Sequence, residues 1–445
     1  MPDATASELP LAPPAGEGAP RREIFAWAMF DFANSGYTTV VMTAVFNAYF
    51  VSVVAGNSVS GTLLWTTAIG ASYALVVLTA PVLGAIADYS GAKKRLLFIA
   101  TAICVLFTAL LSLVGPGAVI AGIALIVVAN FAYSTGENLI ASFLPELGPQ
   151  NQLGRISAFG WSVGYIGGLL VMVACLGYVT WAQSRGQTSA QYVPVTMLIV
   201  AAVFGVASSP TFLWLRERAV ARALPPGQNY WTIGFARLRH TLEQARRFQD
   251  LLRFLLTLFV YSCGTSTVVV LAAVYAEQVM SFKTNDTITM MIVVNLMAAI
   301  GAFSFGHLQD KLGSIKALSL SLAIWLAGTL LAAFTHDRVI FWVAANLMGI
   351  AMGSSQSAGR ALVGQFSPPD RSAEFFGLWG LSVKLASVVG PITYGWVSYL
   401  SGGNQRQALM TTAGFFVVSL VLLMLVNERR GKEAALEIEA IGAHR

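Results

Sequence analysis

Long apolar runs separated by short polar stretches fill the chain from residue 24 to residue 427. A helix that crosses the hydrocarbon of a bilayer needs about 20 mostly apolar residues. Twelve stretches meet that need: 24–54, 62–87, 96–114, 117–143, 158–180, 193–215, 251–279, 287–308, 317–335, 339–363, 375–398 and 407–427, here spans 1 to 12. An even number of spans places both termini on one side. With the N-terminus in the cytoplasm, only Arg185, Lys283, Arg338 and Arg406 of the 27 Lys and Arg face outward. The other bases lie in cytoplasmic loops and tails or, like Arg360 and Lys384, inside or near a span, so the positive-inside rule predicts two cytoplasmic termini.

The segments between and around the spans complete the organisation. Residues 1–23 read as a disordered cytoplasmic tail, polar and rich in Pro, Ala and Gly, without the pattern of a signal peptide. Span 1 is then an uncleaved insertion signal. The linker at 216–250 opens with RERAVARALPPG and continues with Trp231, Phe235, Leu238, Leu242 and Ala245 at helical spacing, among Arg237, Arg239, Arg246 and Arg247. That pattern predicts an amphipathic helix on the cytoplasmic membrane surface, serving either as a tether or as a regulatory element. Residues 428–445 form a short charged tail with helical character.

The chain repeats itself. GAIADYSGAKKR, from Gly84 to Arg95, lies between spans 2 and 3, and GHLQDKLGSIK, from Gly306 to Lys316, lies between spans 8 and 9. Gly84, Asp88, Gly91 and Lys94 return at one constant offset as Gly306, Asp310, Gly313 and Lys316. GWSVGY from Gly160 in span 5 returns at a nearly equal offset as GLSVKL from Gly380 in span 11. Two echoes at matching places predict two pseudo-symmetric six-helix bundles, 24–215 and 251–427. In each turn the glycines permit a tight bend. The aspartate either caps the next helix or pairs with a nearby base, and the lysines hold the loop in the cytoplasm. Asp88, Lys94, Asp310 and Lys316 are therefore structural or gating charges rather than cargo ligands.

Composition agrees with an all-α membrane protein: 56% of the 445 residues are hydrophobic and 11% charged, against about 25% charged in a soluble domain. The net charge of +6 sits in short clusters between apolar runs, which suits lipid head groups and excludes a nucleic-acid face. Cys104, Cys175 and Cys263 lie in separate apolar runs, without disulfide or metal-ligand spacing. No GxxxxGK[ST] phosphate loop is present, and His240, His307, His336 and His444 are scattered with no nucleophile nearby. Neither an enzyme nor a cofactor or metal is expected.

The turn G-x-x-x-D-x-x-G-x-K-K-R resembles the signature loop of the major facilitator superfamily, and its weaker copy between spans 8 and 9 is typical of that family. WAMFDFANSGY (Trp27 to Tyr37) is similar to the branch of fungal vacuolar amino-acid effluxers linked to autophagy, which has many bacterial relatives. FLPEL (Phe143 to Leu147), GRISAFGWSVGYIGG (Gly154 to Gly168) and EFFGLWGLSVKLASVVGP (Glu374 to Pro391) fit the same branch. The resemblance implies alternating access around a cavity lined by spans 1, 4, 7 and 10. Two departures stand out. Span 4 lacks the arginine of many proton-coupled exporters, and Cys263 stands where relatives in the branch carry an acid.

Ionisable groups inside a span cost roughly 2.5–3.5 kcal/mol at its centre and so invite functional readings. Asp31, Asn34, Tyr37 and Thr38 form a polar stripe on span 1, facing protein or water. Asp31 is either a transport group or a buried structural partner. Glu137 of span 4 and Arg360 of span 10 occupy corresponding spans and either pair as a cytoplasmic clasp or snorkel to the head groups. Lys384 in span 11 is too deep to snorkel and should meet a carboxylate, with Asp88 or Asp31 as candidates. Asn130, Asn295 and Asn346 are expected to bond between helices. Asp31, Asn34, Tyr37 and Glu137 are thus the candidate substrate or proton pathway.

Together these features predict a monomeric secondary transporter in the cytoplasmic (inner) membrane. Its cargo is a small polar organic solute, an amino acid by resemblance, with protons as a possible coupling ion. The competing readings are an exporter of amphipathic drugs or lipids with the same fold, and a non-transporting membrane receptor or scaffold.

Overall fold

The computed structural model of the chain describes residues 18–56, 59–218, 221, 229–243, 248–282, 284–368 and 371–443. The N-terminal tail through residue 17, Lys283, and Ala245, Arg246 and Arg247 of the linker lie outside the described residues. Among the described residues, twelve helices are long and apolar enough to cross a membrane. They are Arg21–Val54, Leu64–Ser90, Lys93–Leu113, Val119–Glu146, Gln150–Ser184, Ser189–Trp214, Gln249–Ala272, Thr289–Leu312, Ser314–Phe334, Arg338–Phe366, Ser372–Leu400 and Gln405–Leu423. They are spans 1 to 12 in the predicted order. The first begins at Arg21, slightly before its expected start at residue 24.

Packing obeys the repeat pair by pair. Spans 1 and 5 pack together as spans 7 and 11 do; spans 2 and 4 as 8 and 10; spans 3 and 4 as 9 and 10; spans 1 and 6 as 7 and 12. The contacts between the bundles are matched as well: spans 2 and 11 mirror 8 and 5, and spans 4 and 11 mirror 10 and 5. The chain is two pseudo-symmetric six-helix bundles. Small residues let the backbones approach where lipid offers no hydrophobic drive.

The repeated turns owe their shape to glycine. Gly91 has φ +59° and Gly313 φ +89°, both in the left-handed region that an L side chain resists. Each turn passes directly into the next span, Lys93–Leu113 or Ser314–Phe334.

Two further helices lie beside the bundles. The linker helix, Tyr230–Glu243, starts on a reciprocal cap: the Thr232 N–H donates to Asn229 Oδ1 and the Asn229 N–H to Thr232 Oγ1, both at 2.9 Å. It packs against span 2, burying Ile233 and leaving Trp231 and Phe235 exposed with their rings stacked 6.4 Å apart. The C-terminal helix, Glu428–Ala443, packs against spans 7 and 10.

Span 1 departs from regular winding. It is α-helical over Arg21–Gly36, then π-helical over Tyr37–Ala44 and again over Phe50–Val54. The wider turn begins at Tyr37 in the polar stripe, the kind of place where π segments collect in functional helices.

Candidate functional site at the bundle interface

The termini and the linker meet at one end of the molecule, here the terminus end, and the bundles close on each other there. The outermost layer of that closure uses the repeated turns. Asp88 reaches the first residues of span 11 in the opposite bundle, where its carboxylate accepts from the Ala373 N–H (3.3 Å) and the Glu374 N–H (3.4 Å). A carboxylate at a helix N-terminus meets unsatisfied donors and the positive end of the helix dipole. Asp310 does the mirror task, accepting from the Arg155 N–H at the start of span 5. Of the two expectations for Asp88, the pairing with a nearby base is met by Lys93 at 3.9 Å, while the cap falls on a helix of the other half rather than on the next one in sequence. Span 3 is capped instead by Glu217, which accepts from the Lys94 N–H at 2.7 Å.

Lys93 lies beneath that layer. It is fully buried, bonded to Glu146 (2.8 Å) and across the interface to Ser372 Oγ (2.7 Å), with Asp88 3.9 Å away. In the sequence it passes as one of several topogenic bases. The repeat carries a signal all the same, because Lys94 recurs as Lys316 while Lys93 meets Ile315.

Two ion pairs, one buried and one part-buried, cross the interface beneath that layer. Arg360 Nη1 donates to Asp31 Oδ2 at 2.7 Å. Its Nε and Nη2 donate to Ser157 Oγ (3.1 Å) and to the Ser157 carbonyl (2.9 Å). The guanidinium lies 4.6 Å from the Trp27 ring and 5.2 Å from the Trp161 ring. All of these partners belong to the first half, and Arg360 belongs to the second. Gly160 makes the room: a Cβ there would lie 2.5 Å from Asp31 Oδ2 and 2.6 Å from both Arg360 Nη2 and the Trp27 ring. Such contacts are closer than any side chain tolerates.

The second pair joins Lys384 Nζ to Glu137 Oε2 at 2.8 Å. The ammonium also lies 5.4 Å from each of the Tyr73 and Tyr133 rings, and Tyr37 stacks on Tyr133 at 4.9 Å. Carboxylate and aromatic faces form the kind of box that favours a cation. In both pairs the acid belongs to the first half and the base to the second.

Two expected pairings are corrected by this geometry. Glu137 does not meet Arg360, and Lys384 meets neither Asp88 nor Asp31. The reason is helical register. Under the offset that carries Asp88 onto Asp310, position 360 answers to Asn138, not Glu137. One residue turns a helix by about 100°, so Asn138 faces Gly380 of span 11 while Glu137 reaches Lys384, one turn further along the same span.

Polar atoms gather beside these pairs without a protein partner: Asn34 Oδ1, the Tyr37 hydroxyl, Thr135 Oγ1, Asn138 Oδ1 and Trp161 Nε1. Tyr165 donates to Gln356 across the interface, and the Ser157 hydroxyl donates to the Ser357 carbonyl at 2.9 Å. Asn130 bonds to Ser72 of span 2 at 2.6 Å, as expected of an interhelical asparagine. Asn295 and Asn346 instead donate to the carbonyls of Met291 and Trp342 in their own helices, satisfied one turn back. Cys104, Cys175 and Cys263 are free and buried.

Beyond the membrane layer the halves repeat a pattern that the sequence reading missed. Glu23 holds Arg218 (2.5 and 2.8 Å) and the Arg216 N–H (3.0 Å), while Asp250 holds Arg430 (2.5 and 2.8 Å) and the Asn427 N–H (2.9 Å). Glu428 accepts from the Ile315 N–H at 3.0 Å, as Glu217 does from Lys94. The paired strings WLRER after span 6 and VNERR after span 12 carry this signal.

Residues 50–436 match the profile of a family described as vacuole effluxer Atg22 like. An uncharacterized MFS-type transporter, YxiO, of Bacillus subtilis (strain 168) is 26% identical over 92% of this chain and 96% of its own length. Autophagy-related protein 22-1 of Penicillium rubens is 26% identical over 64% of this chain, which spans 51% of that protein. The chain thus covers about half the length of such fungal relatives. Among solved structures, the human organic anion transporter MFSD10 (TETRAN) superposes with a TM-score of 0.71 at 16% identity, over 91% of this chain and 99% of that one. The transporter FucP in its outward conformation superposes at 0.69 and 14% identity, over 91% and 98%. At such identities the likeness is one of fold.

Proposed function

This chain belongs to the vacuole effluxer Atg22-like family of major facilitator transporters, and on that premise we propose that it carries a small polar organic solute, an amino acid or similar metabolite, by alternating access. The observation that carries the reading is the pair of salt bridges, the buried Asp31–Arg360 and the part-buried Glu137–Lys384, each with one member in either bundle. Opening the terminus end must break both, so solute binding and bundle separation compete for the same charges. Breaking a buried pair by removing one partner costs about 3–5 kcal/mol. A cargo or a proton that satisfies the acids in place of the bases lowers that cost.

In this reading the described conformation is closed at the cytoplasmic end, with both termini and the linker in the cytoplasm of a cell bounded by its inner membrane. The contacts that join the halves at that end, Asp88 to the start of span 11 and Lys93 to Ser372, support the closed reading. The unpartnered Asn34 Oδ1 and Tyr37 hydroxyl supply hydrogen bonds for a polar cargo. Asp31 and Glu137 are the groups that would take a coupling proton or meet a cationic group on the solute.

Purified protein in liposomes, screened with radiolabelled amino acids with and without a pH gradient, tests the proposal. Saturable uptake of one or more amino acids that Glu137→Gln abolishes is the expected result. Protein that moves amphipathic dyes or lipids but no amino acid would establish the competing exporter instead.

A further inference from the structure

A recess of about 570 Å³ opens at the terminus end of the second half, where span 7, the turn between spans 8 and 9, and the start of the C-terminal helix converge. Its charged lining is Arg253, Lys316, Arg429 and Arg430 against the single acid Glu428. That acid is already engaged by the Ile315 N–H and by Lys432 at 2.6 Å. Arg430 is held by Asp250. Arg429 shares its Nε with Glu433 at 2.7 Å, on an exposed surface where such a pair contributes little. The excess of positive charge therefore rests on Arg253, Lys316 and Arg429.

The two halves tie off the ends of spans 6 and 12 with different bases. In the first half its counterpart, Lys94, donates through Nζ to the Leu215 carbonyl at 2.6 Å, tying off the end of span 6. In the second half a neighbouring carbonyl at the end of span 12, that of Leu425, one residue before the position that answers to Leu215, accepts from Arg253 Nη1 at 3.0 Å. Arg253 has taken over the tie, and Lys316 is exposed with no hydrogen bond or ion pair among the described residues. A base is thus left at the mouth of a recess that already holds Arg253 and Arg429. The rim is apolar: Met424 is 84% exposed, Leu425 56% and Leu312 48%. Leu312 is the last residue of span 8, and Met424 and Leu425 directly follow the last residue of span 12.

We propose that this recess binds the phosphate of an anionic phospholipid, with Lys316 and Arg429 holding the charge while Met424 and Leu425 lie against its acyl chain. A base beside a membrane is attracted to an anionic head group, and a pocket that gathers several bases converts that diffuse attraction into a site. The contiguous apolar rim is what distinguishes a lipid from a soluble phosphate. Because the recess joins the turn between spans 8 and 9 to the C-terminal helix, its occupant bridges two elements that Glu428 also links.

Native mass spectrometry of the full-length protein, delipidated in detergent and titrated with phosphatidylglycerol or phosphatidylcholine of the same chains, tests the site. One copy of phosphatidylglycerol should be held in preference to phosphatidylcholine. Lys316→Gln with Arg429→Gln should weaken it roughly tenfold or more, at up to about one charge's attraction per residue lost. Arg95→Gln, which removes an exposed base from the corresponding turn of the first half, should leave it unchanged. Equal retention of both lipids, or undiminished retention by the double variant, overturns the proposal. Displacement of the lipid by inorganic phosphate or glycerol phosphate at matching concentration would overturn it too, in favour of a soluble-phosphate site. Should the double variant fold poorly, Lys316→Gln alone decides, since that side chain has no partner to lose among the described residues; unchanged retention then rejects the site.

Discussion

Arg360 and Asn138 occupy the same position of the repeated unit, and each packs over a glycine of the opposite half, Gly160 beneath Arg360 and Gly380 beneath Asn138. One of the two symmetry-related crossings is therefore charged and the other neutral. The charged one draws Asp31 into a buried pair. At the neutral one the neighbouring Glu137 and Lys384, each off the symmetric position, supply the charges instead.

This arrangement predicts which charges are coupled. In double-mutant cycles read by thermal unfolding, Asp31 with Arg360 and Glu137 with Lys384 should each show an interaction of about 0.5–3 kcal/mol. Glu137 with Arg360 should be additive within about 0.5 kcal/mol. A large coupling in the last cycle would contradict the register that separates them.

Replacing Asp31 by Asn leaves the Arg360 guanidinium buried without a counter-charge. A cost of about 3–5 kcal/mol falls on the closed terminus end and is enough to tip a balanced two-state equilibrium. Spin labels at Arg95 and Lys316, one on each half, should report a longer mean distance in the variant. Transport driven by a pH gradient should be lost while the protein still folds. Gradient-driven transport at the native rate in a well-folded Asp31→Asn protein would remove Asp31 from both coupling and cargo binding.

Two glycines of span 5 provide a packing test. Gly160→Ala forces a methyl against Asp31, Arg360 and Trp27, and should lower stability by about 1–3 kcal/mol. Gly177→Ala, on the same helix with nothing within 4 Å of the added methyl, should be neutral or slightly stabilising. Thermal melting of the two variants in one detergent compares them directly.

The architecture was readable because it rests on signals that survive in one dimension: hydropathy, the distribution of bases, and the paired strings around Asp88 and Asp310. The number of spans and the two halves follow from these. Pairing across the interface does not, because it depends on which way each helix is turned. A one-residue offset between Glu137 and Asn138 redirected both predicted partners. Lys93 and the glutamates at 217 and 428 were hidden for another reason. Their partners lie in segments distant in the chain, and charged residues at span ends look alike until the fold brings specific ones together.

Topology has a direct test that the buried native thiols make clean. Cys104, Cys175 and Cys263 should give little background with a bulky impermeant maleimide. Asn229→Cys, at the start of the linker helix, should stay unlabelled from outside intact cells and react once the membrane is opened. Labelling from outside would invert the orientation.

The docking of the C-terminal helix should depend on pH. Burial pushes the Glu428 carboxyl up, but the N–H groups of Ile315 and Ser314 and the Lys432 ammonium outweigh it and hold the group below its ordinary value of 4.5. A depressed carboxylate contributes stability that is complete above that ordinary value and disappears as pH falls through the lower one. Amide protection in the C-terminal helix, corrected for the intrinsic pH dependence of exchange, should thus be unaffected by Glu428 chemistry above about pH 5 and fall in more acidic buffer. Glu428→Gln should exchange faster at neutral pH and lose the acid-dependent step.

The sidedness of the two salt bridges has an electrical consequence. With both carboxylates on the first bundle and both cations on the second, parting the bundles leaves a water-filled slot with one negative wall and one positive wall. The field of such a slot runs across the membrane plane rather than through it. A solute with separated charges that enters is turned broadside to its direction of travel, its positive end toward spans 1 and 4 and its negative end toward spans 10 and 11. A solute with charge of only one sign would be drawn to a single wall and leave the other uncompensated.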